Sequence, residues 1–278
     1  MRSFHQTIRI HAPLARTAAT AAVAACAVLV PGWASAQAFD AVRLYGAAPD
    51  QNGGTIGLAV VAGREYAGSD ERRTRLLPAI DYRWANGWFA GTTNGIGYNF
   101  SRDPALQYGL RLTADFGRDE DRSRVLRGLG DVEARPELGA FFNLLPSRNT
   151  FVTTSLRYGS GNGRDGLLFD VGAGMAWQPA PAWRLGAGVA ATWANAAYQQ
   201  SYFGVDAAQA ARSGLARTSM GSGVRDVRAS VSATYSFHPK AAVTAALSYS
   251  RLQGDAARSP IVREAGSLGG VVAVSYRF

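Results

Sequence analysis

Cysteine occurs once in the 278 residues, at position 26, and histidine three times, at positions 5, 11 and 238. No apolar run is long enough for a spanning helix: the longest, over 18–30, is short and rich in alanine. Basic residues are not clustered either, because the arginines behind the +9 net charge are scattered singly. These absences remove whole classes of function. With so few thiols and imidazoles, zinc and redox-metal centres built from the usual ligand sets are excluded. The dispersed charge argues against nucleic acid as a partner. Helical periodicity is nearly missing too, which leaves strands to build the fold.

The first residues have the layout of an export signal. Arg2, Arg9 and Arg16 precede the apolar run, and Ala34-Ser35-Ala36 stands before Gln37 as an A-x-A cleavage site. Cys26 lies inside the apolar run, with Ala-Val-Leu-Val still to follow, which disfavours a lipid-attachment site there. Residues 1–36 are therefore expected to be a signal peptide and 37–278 one domain. Loss of those 36 residues and their three arginines leaves 242 residues at +6 with no cysteine and His238 alone. An exported chain of that size without disulfides needs a large core or a membrane for stability.

Alternation with period two recurs over segments of about ten residues, the length of a tilted membrane strand. Leu106, Tyr108, Leu110, Leu112, Ala114 and Phe116 oppose Gln107, Gly109, Arg111, Thr113, Asp115 and Gly117. The same pattern runs through Leu76 to Trp84, Leu167 to Trp177, Trp183 to Trp193 and Val227 to Phe237. Alternation alone fits a soluble sandwich as well as a membrane barrel. Two features favour the barrel: the strands are long, and large aromatics (Trp84, Phe116, Trp177, Trp183, Trp193, Tyr235, Phe237) cluster near the ends of the apolar face, as at two lipid interfaces. The opposite face carries Gly, Ser, Thr and single charges, namely Arg83, Arg111, Asp115, Arg135, Glu137, Arg157, Asp170, Arg184 and Arg228. Such a set suits a narrow lumen in which opposite charges pair.

The fold expected is an all-β transmembrane antiparallel barrel in the outer membrane of a Gram-negative cell, after cleavage near Ala36-Gln37. Tight periplasmic turns at 238–240, 179–181 and 146–149 alternate with longer outer loops at 254–266, 195–223, 159–165 and 118–132. Eleven strands are clear: 55–63, 74–84, 88–100, 105–117, 133–145, 150–158, 166–178, 182–194, 224–237, 241–253 and 267–278. Bacterial barrels have even counts, so about twelve are expected, the twelfth at 39–46; ten is the alternative, because the Gly-rich piece around Asn94-Gly95 is hard to parse. In the longest loop Asp206 followed by Gln209, with Gly214 beyond, predicts a capped helix of one to two turns over the barrel mouth. The last strand ends on Tyr276 and Phe278, whose aromatic terminus is the candidate signal read by the barrel assembly machinery.

No catalytic, metal or cofactor site stands out. His238 precedes Pro239 in a turn, where an exposed residue outweighs a hydrolase triad. Asp119, Glu120 and Asp121 are candidates for surface calcium, but Arg118, Arg122 and Arg124 neutralise them, which favours a solvated loop. The glycines at 159–166 lack the Lys-Ser/Thr and the helix of a phosphate loop.

The phrases GREYAGSDERRTRLLPAIDYRW, FGRDEDRSRVLRGLGDV, AYQQSYFGVDAAQAARSGL, YSRLQGDAARSPIVREAGS and the terminal SYRF resemble the MipA/OmpV family. The resemblance covers most of the chain from about Gly57, and implies an outer-membrane barrel without established catalytic residues or cofactors. For the family's namesake it implies a scaffold joining a lytic transglycosylase to a murein synthase; other members are described as adhesins or porin-like proteins. Outer-membrane lipid and the barrel assembly machinery are further partners implied.

Overall fold

The computed structural model describes residues 51–278, so the expected signal peptide and the strand expected at 39–46 lie outside the described residues. The alternating segments form β1 (Gly53–Arg64), β2 (Arg72–Arg83), β3 (Trp88–Gly91), β4 (Gly95–Asn99), β5 (Leu106–Asp115), β6 (Arg135–Leu144), β7 (Thr150–Ser160), β8 (Gly166–Ala180), β9 (Trp183–Ala194), β10 (Gly223–His238), β11 (Ala241–Leu252) and β12 (Gly266–Arg277). Each pairs with its chain neighbour, and β12 closes antiparallel on β1, with Gly57 opposite Ser275. Closure leaves the barrel no terminal edge strand. Gly54 and Phe278 exchange two backbone hydrogen bonds of 3.2 and 3.1 Å, which tie Phe278 to the start of β1.

The count of twelve holds, but its source differs from expectation. The stretch 88–100 is not one strand; it folds back at Thr92-Thr93-Asn94 into β3 and β4. Gly95 makes the reversal, with φ of +71°, and a Cβ there would lie 2.1 Å from the Leu112 carbonyl oxygen. Asn94 turns into the lumen, where its amide donates to Asp81 at 3.5 Å. The barrel closes through β1 and β12 without the segment expected at 39–46.

The period-two pattern sets the two faces. Leu58, Leu110, Leu138, Val189, Val231 and Val272 stand exposed on the outer wall, with Trp84, Trp177, Trp183 and Tyr235 at its ends. So continuous an apolar belt has no place in water and matches the hydrocarbon of a bilayer. No helix among the described residues is long and apolar enough to cross a membrane.

Long connections gather at one end, over 65–71, 116–134, 195–222 and 253–265, and the opposite end has tight turns. By the usual asymmetry the loop end faces outward. The loops fold into α1 (Ala196–Phe203), α2 (Ala207–Ser213), α3 (Gly254–Arg258) and two single 3-10 turns. The predicted helix is α2: Asp206 and Gln209 form a reciprocal capping box, and Gly214 ends it at φ +72°. α1 and α3 were expected as loop. α1 starts where the Asn195 side chain accepts the Tyr198 N–H, a cap on a segment with no apolar periodicity to announce it.

Candidate functional site

Two features of the barrel have the density of interaction expected of a functional site: a charge network inside the wall and a packed lid above it.

The network begins at β6. Glu137 points inward and is fully buried. Its carboxylate accepts from Arg157 of β7 at 3.2 Å, and the same guanidinium donates to Asp170 of β8 at 3.1 Å. Asp170 also accepts from the Thr192 hydroxyl at 2.6 Å and from Arg228 of β10 at 3.2 Å. Arg228 reaches Asp226 at 3.5 Å, and Asp226 pairs with Arg225 at 2.6 Å. Three arginines (Arg157, Arg225, Arg228) thus balance three carboxylates (Glu137, Asp170, Asp226) across five strands. Burying either set alone costs several kcal/mol per charge, on the order of the values for isolated ions in protein, and pairing the two sets offsets that cost.

The inward-facing charges named from the sequence do not all meet. Glu137, Arg157, Asp170 and Arg228 form the network, and Arg111 lies beside it, donating to Ser155 at 2.7 Å. Asp115 sits higher and accepts the Tyr202 hydroxyl at 2.5 Å. Arg135 pairs with Glu133 at the outer rim. Arg83 and Arg184 stand at the periplasmic ends of β2 and β9, away from the rest. Alternation did not reach Arg225 and Asp226, because the register between β9 and β10 shifts between Val224 and Asp226 and turns two consecutive residues into the wall.

The lid is built on an apolar cluster. Leu126 and Leu129 (loop 116–134), Tyr198, Phe203 and Val205 (195–222), Ala256 and Ile261 (253–265) and Tyr66 (65–71) pack above Leu168 and Ala194 of the wall. Polar ties join the loops: Arg118 donates to the Tyr202 carbonyl at 2.6 Å, Gln209 to Leu129 O at 2.6 Å, Ser259 to Phe203 O at 2.5 Å and Tyr66 to Ile261 O at 2.9 Å. Two tyrosines couple lid to network. Tyr198 stacks on Tyr202 at 4.6 Å and accepts from Arg225 at 2.9 Å. Burial pushes the Tyr198 phenol up to about 12, and burial together with Asp115 holds Tyr202 well above its ordinary value, so both remain neutral.

The other candidates resolve locally. Glu120 accepts the N–H groups of Gly128 and Gly130, both at 2.8 Å, and Asp119 accepts from Arg122. Among the described residues no group of three acidic, histidine or cysteine side chains could hold a metal ion. His238 is exposed in its turn and accepts the Lys240 N–H at 3.2 Å. Tyr276 and Phe278 face outward, and Phe278 stacks on Tyr82 at 6.0 Å.

Residues 56–278 match the family model described as MltA-interacting protein MipA. The chain belongs to the MipA family. No curated protein matches the sequence. Among solved structures, the KdgM porin is similar at 10% identity and TM-score 0.44, covering 81% of this chain and 99% of that one. The NanC porin is similar at 13% identity and TM-score 0.45, covering 79% and 98%. The outer membrane channel DcaP of Acinetobacter baumannii is similar at 8% identity and TM-score 0.40, covering 82% and 96%.

The lid of this MipA barrel has a predictable pH response. Glu120 is held below the ordinary carboxylate range by the N–H groups of Gly130 and Gly128, and Asp255 by the Gly221 N–H and then Arg258. A depressed folded pKa contributes stability that is complete above the unfolded value of about 4 and is lost as pH falls through the lower folded value. A nitroxide on Ala216→Cys, exposed in loop 195–222, is expected to stay immobile at pH 7 and gain mobility below about pH 4. Unchanged spectra down to pH 2.5 would show that these acceptors do not hold the lid.

Proposed function

We propose that the protein is a non-enzymatic scaffold of the outer membrane that holds a murein-degrading lytic transglycosylase, and with it a murein synthase, beneath the barrel. The family match over 56–278, whose description names the interaction with MltA, carries this reading. The barrel anchors the complex in lipid, and the enzymes act in the periplasm. Their contacts therefore fall on the tight-turn end and on the chain before β1. That end presents Arg102, Arg148, Arg184 and Lys240, with Trp84 and Trp88 exposed at the lipid boundary. A basic rim of this kind favours an acidic patch on the partner and sets the rate of encounter.

The test is direct binding of a purified lytic transglycosylase to the barrel in nanodiscs, read by interferometry. Micromolar affinity, weakened severalfold by Arg148→Glu with Lys240→Glu and by added salt, is expected. Absence of binding at tens of micromolar would remove the scaffold reading. In this reading Tyr276 and Phe278 serve assembly, as the end of the strand that closes the barrel.

A second reading, a small-solute channel, has the half-buried small residues of β9 to β11 in its favour: Gly188, Ser230, Ser232, Thr234 and Thr244 line the lumen wall. The packed lid opposes it. Planar-bilayer recordings of the intact barrel are expected to show no open-channel steps. Steps that shift with Arg111→Ala or Arg184→Ala would establish the channel instead.

A further inference from the structure

The barrel wall is incomplete in its outer half. β3 has 4 residues and β4 has 5, against the 12 of β2. At about 3.4 Å per residue this hairpin rises only about 17 Å, well under the span of a membrane strand. β2 pairs with β3 only over Asp81–Arg83, and Thr92 closes that ladder against Ile80, donating its N–H to the Ile80 carbonyl at 2.8 Å. β5 pairs with β4 only from Gly109 to Leu112. Above the hairpin, β2 keeps its partner β1 on one edge along its whole length and has none on the other.

Peptide groups alternate along a strand. Since Ile80 points at the hairpin, the groups of Arg72, Thr74 and Leu76 and the carbonyl of Pro78 point into the gap. Among the described residues no hydrogen bond reaches them. An unpaired strand edge at membrane depth costs several kcal/mol for each group left unsatisfied, on the order of amide transfer to hydrocarbon, unless something other than hydrocarbon lies against it. A further strand is a poor occupant. Pro78 supplies no N–H, and Arg72 sets a charge on the edge, two devices that blunt strand addition.

The gap is graded from top to bottom. At the outer rim Arg72 is exposed and has no ion pair among the described residues. Arg73 and Arg75 share a single carboxylate, Glu65, at 2.8 and 3.4 Å, while Asp70 and Glu71 sit in the turn above. Next comes the exposed Thr74 hydroxyl with the free amides. Below, Leu76, at 66%, is the most exposed large apolar residue of the wall, with Ile80 beneath it and Leu112 of β5, paired with Ile96, at the foot of the gap. Cationic, then amide, then aliphatic is the order of an anionic lipid lying along the wall.

We infer that the gap between β2 and β5 is a binding site for one phosphorylated glycolipid of the outer leaflet. Its phosphate lies against Arg72, and its acyl chains cover Leu76 and Leu112. The free edge offers acceptors as well as donors, and the carbonyls of Thr74, Leu76 and Pro78 need donors at the depth of the first acyl carbons. Amide-linked, hydroxylated acyl chains have them; ester-linked glycerophospholipids do not. This choice does not depend on the scaffold reading.

The full-length barrel in detergent, titrated with diphosphoryl lipid A, its monophosphoryl form or phosphatidylglycerol and read by native mass spectrometry, tests the site. One retained lipid A molecule is expected under conditions that strip phosphatidylglycerol, with weaker retention of the monophosphoryl form. Arg72→Gln is expected to lower the lipid A affinity about tenfold, as for loss of one charge-assisted contact, while Arg184→Gln at the far end leaves it unchanged. Equal retention of phosphatidylglycerol, which needs no variant to observe, would overturn the assignment, as would full affinity in a folded Arg72→Gln barrel.

Discussion

Arg157→Leu is expected to destabilise the barrel by about 3–5 kcal/mol, the cost of stranding buried charges when one partner of a network is removed. Arg157 bridges two carboxylates, Glu137 at 3.2 Å and Asp170 at 3.1 Å, and both of these are shut from solvent. Its loss leaves Asp170 with Arg228 and the Thr192 hydroxyl, and takes the guanidinium away from Glu137, which the Thr113 hydroxyl also bonds at 3.1 Å. The measurement is urea-induced unfolding in micelles, followed by tryptophan emission. A combined Arg157→Leu, Glu137→Gln variant is expected to recover much of the loss, because it removes the stranded charge along with its partner. If the single change leaves the midpoint untouched, water reaches these groups, and the lumen is wetter than its burial implies.

Phe203→Ala is expected to loosen the lid while the wall stays intact. Phe203 ends α1, is 2% exposed and packs among the apolar residues contributed by four loops. Removing a buried phenyl costs about 3–5 kcal/mol, the transfer of the ring plus the cavity it leaves. So short a helix has little stability of its own, and the loss falls on the loops that depend on this contact. Hydrogen exchange is expected to rise by a factor of a hundred or more in 195–222 and 116–134, with β8 to β11 protected as before. Uniform acceleration through the strands would instead mean that lid and wall unfold as one unit.

The two variants separate a part of the molecule that alternation predicts from a part that it does not. Leu110, Val171, Val189 and Val231 are outward and Arg111, Asp170 and Arg228 inward because side chains on a strand change face at every residue. That local rule needs no knowledge of which strand lies beside which, so the barrel and its inward charges were legible. The capping box at Asp206 and Gln209 was legible for the same reason, since both partners lie within one turn. Pairing among the charges was not. Arg228 reaches Asp170 across 58 positions of sequence, through a register that only neighbouring strands define. The error over 88–100 has a physical origin too: β3 and β4 are so short that their apolar residues, read without the reversal at Gly95, continue a single alternation.

From the order of its residues alone this chain is a strand former with one face for lipid and one for a polar interior, and the family phrases are written out in full. Folding settles the rest: the bulge that turns Arg225 and Asp226 inward, the truncated hairpin that leaves β2 half unpaired, and the seating of four distant loops over the mouth. Period-two patterning acts between adjacent residues. Closure of the mouth depends on contacts such as Tyr66 with Ile261, 195 positions apart, which no local rule encodes.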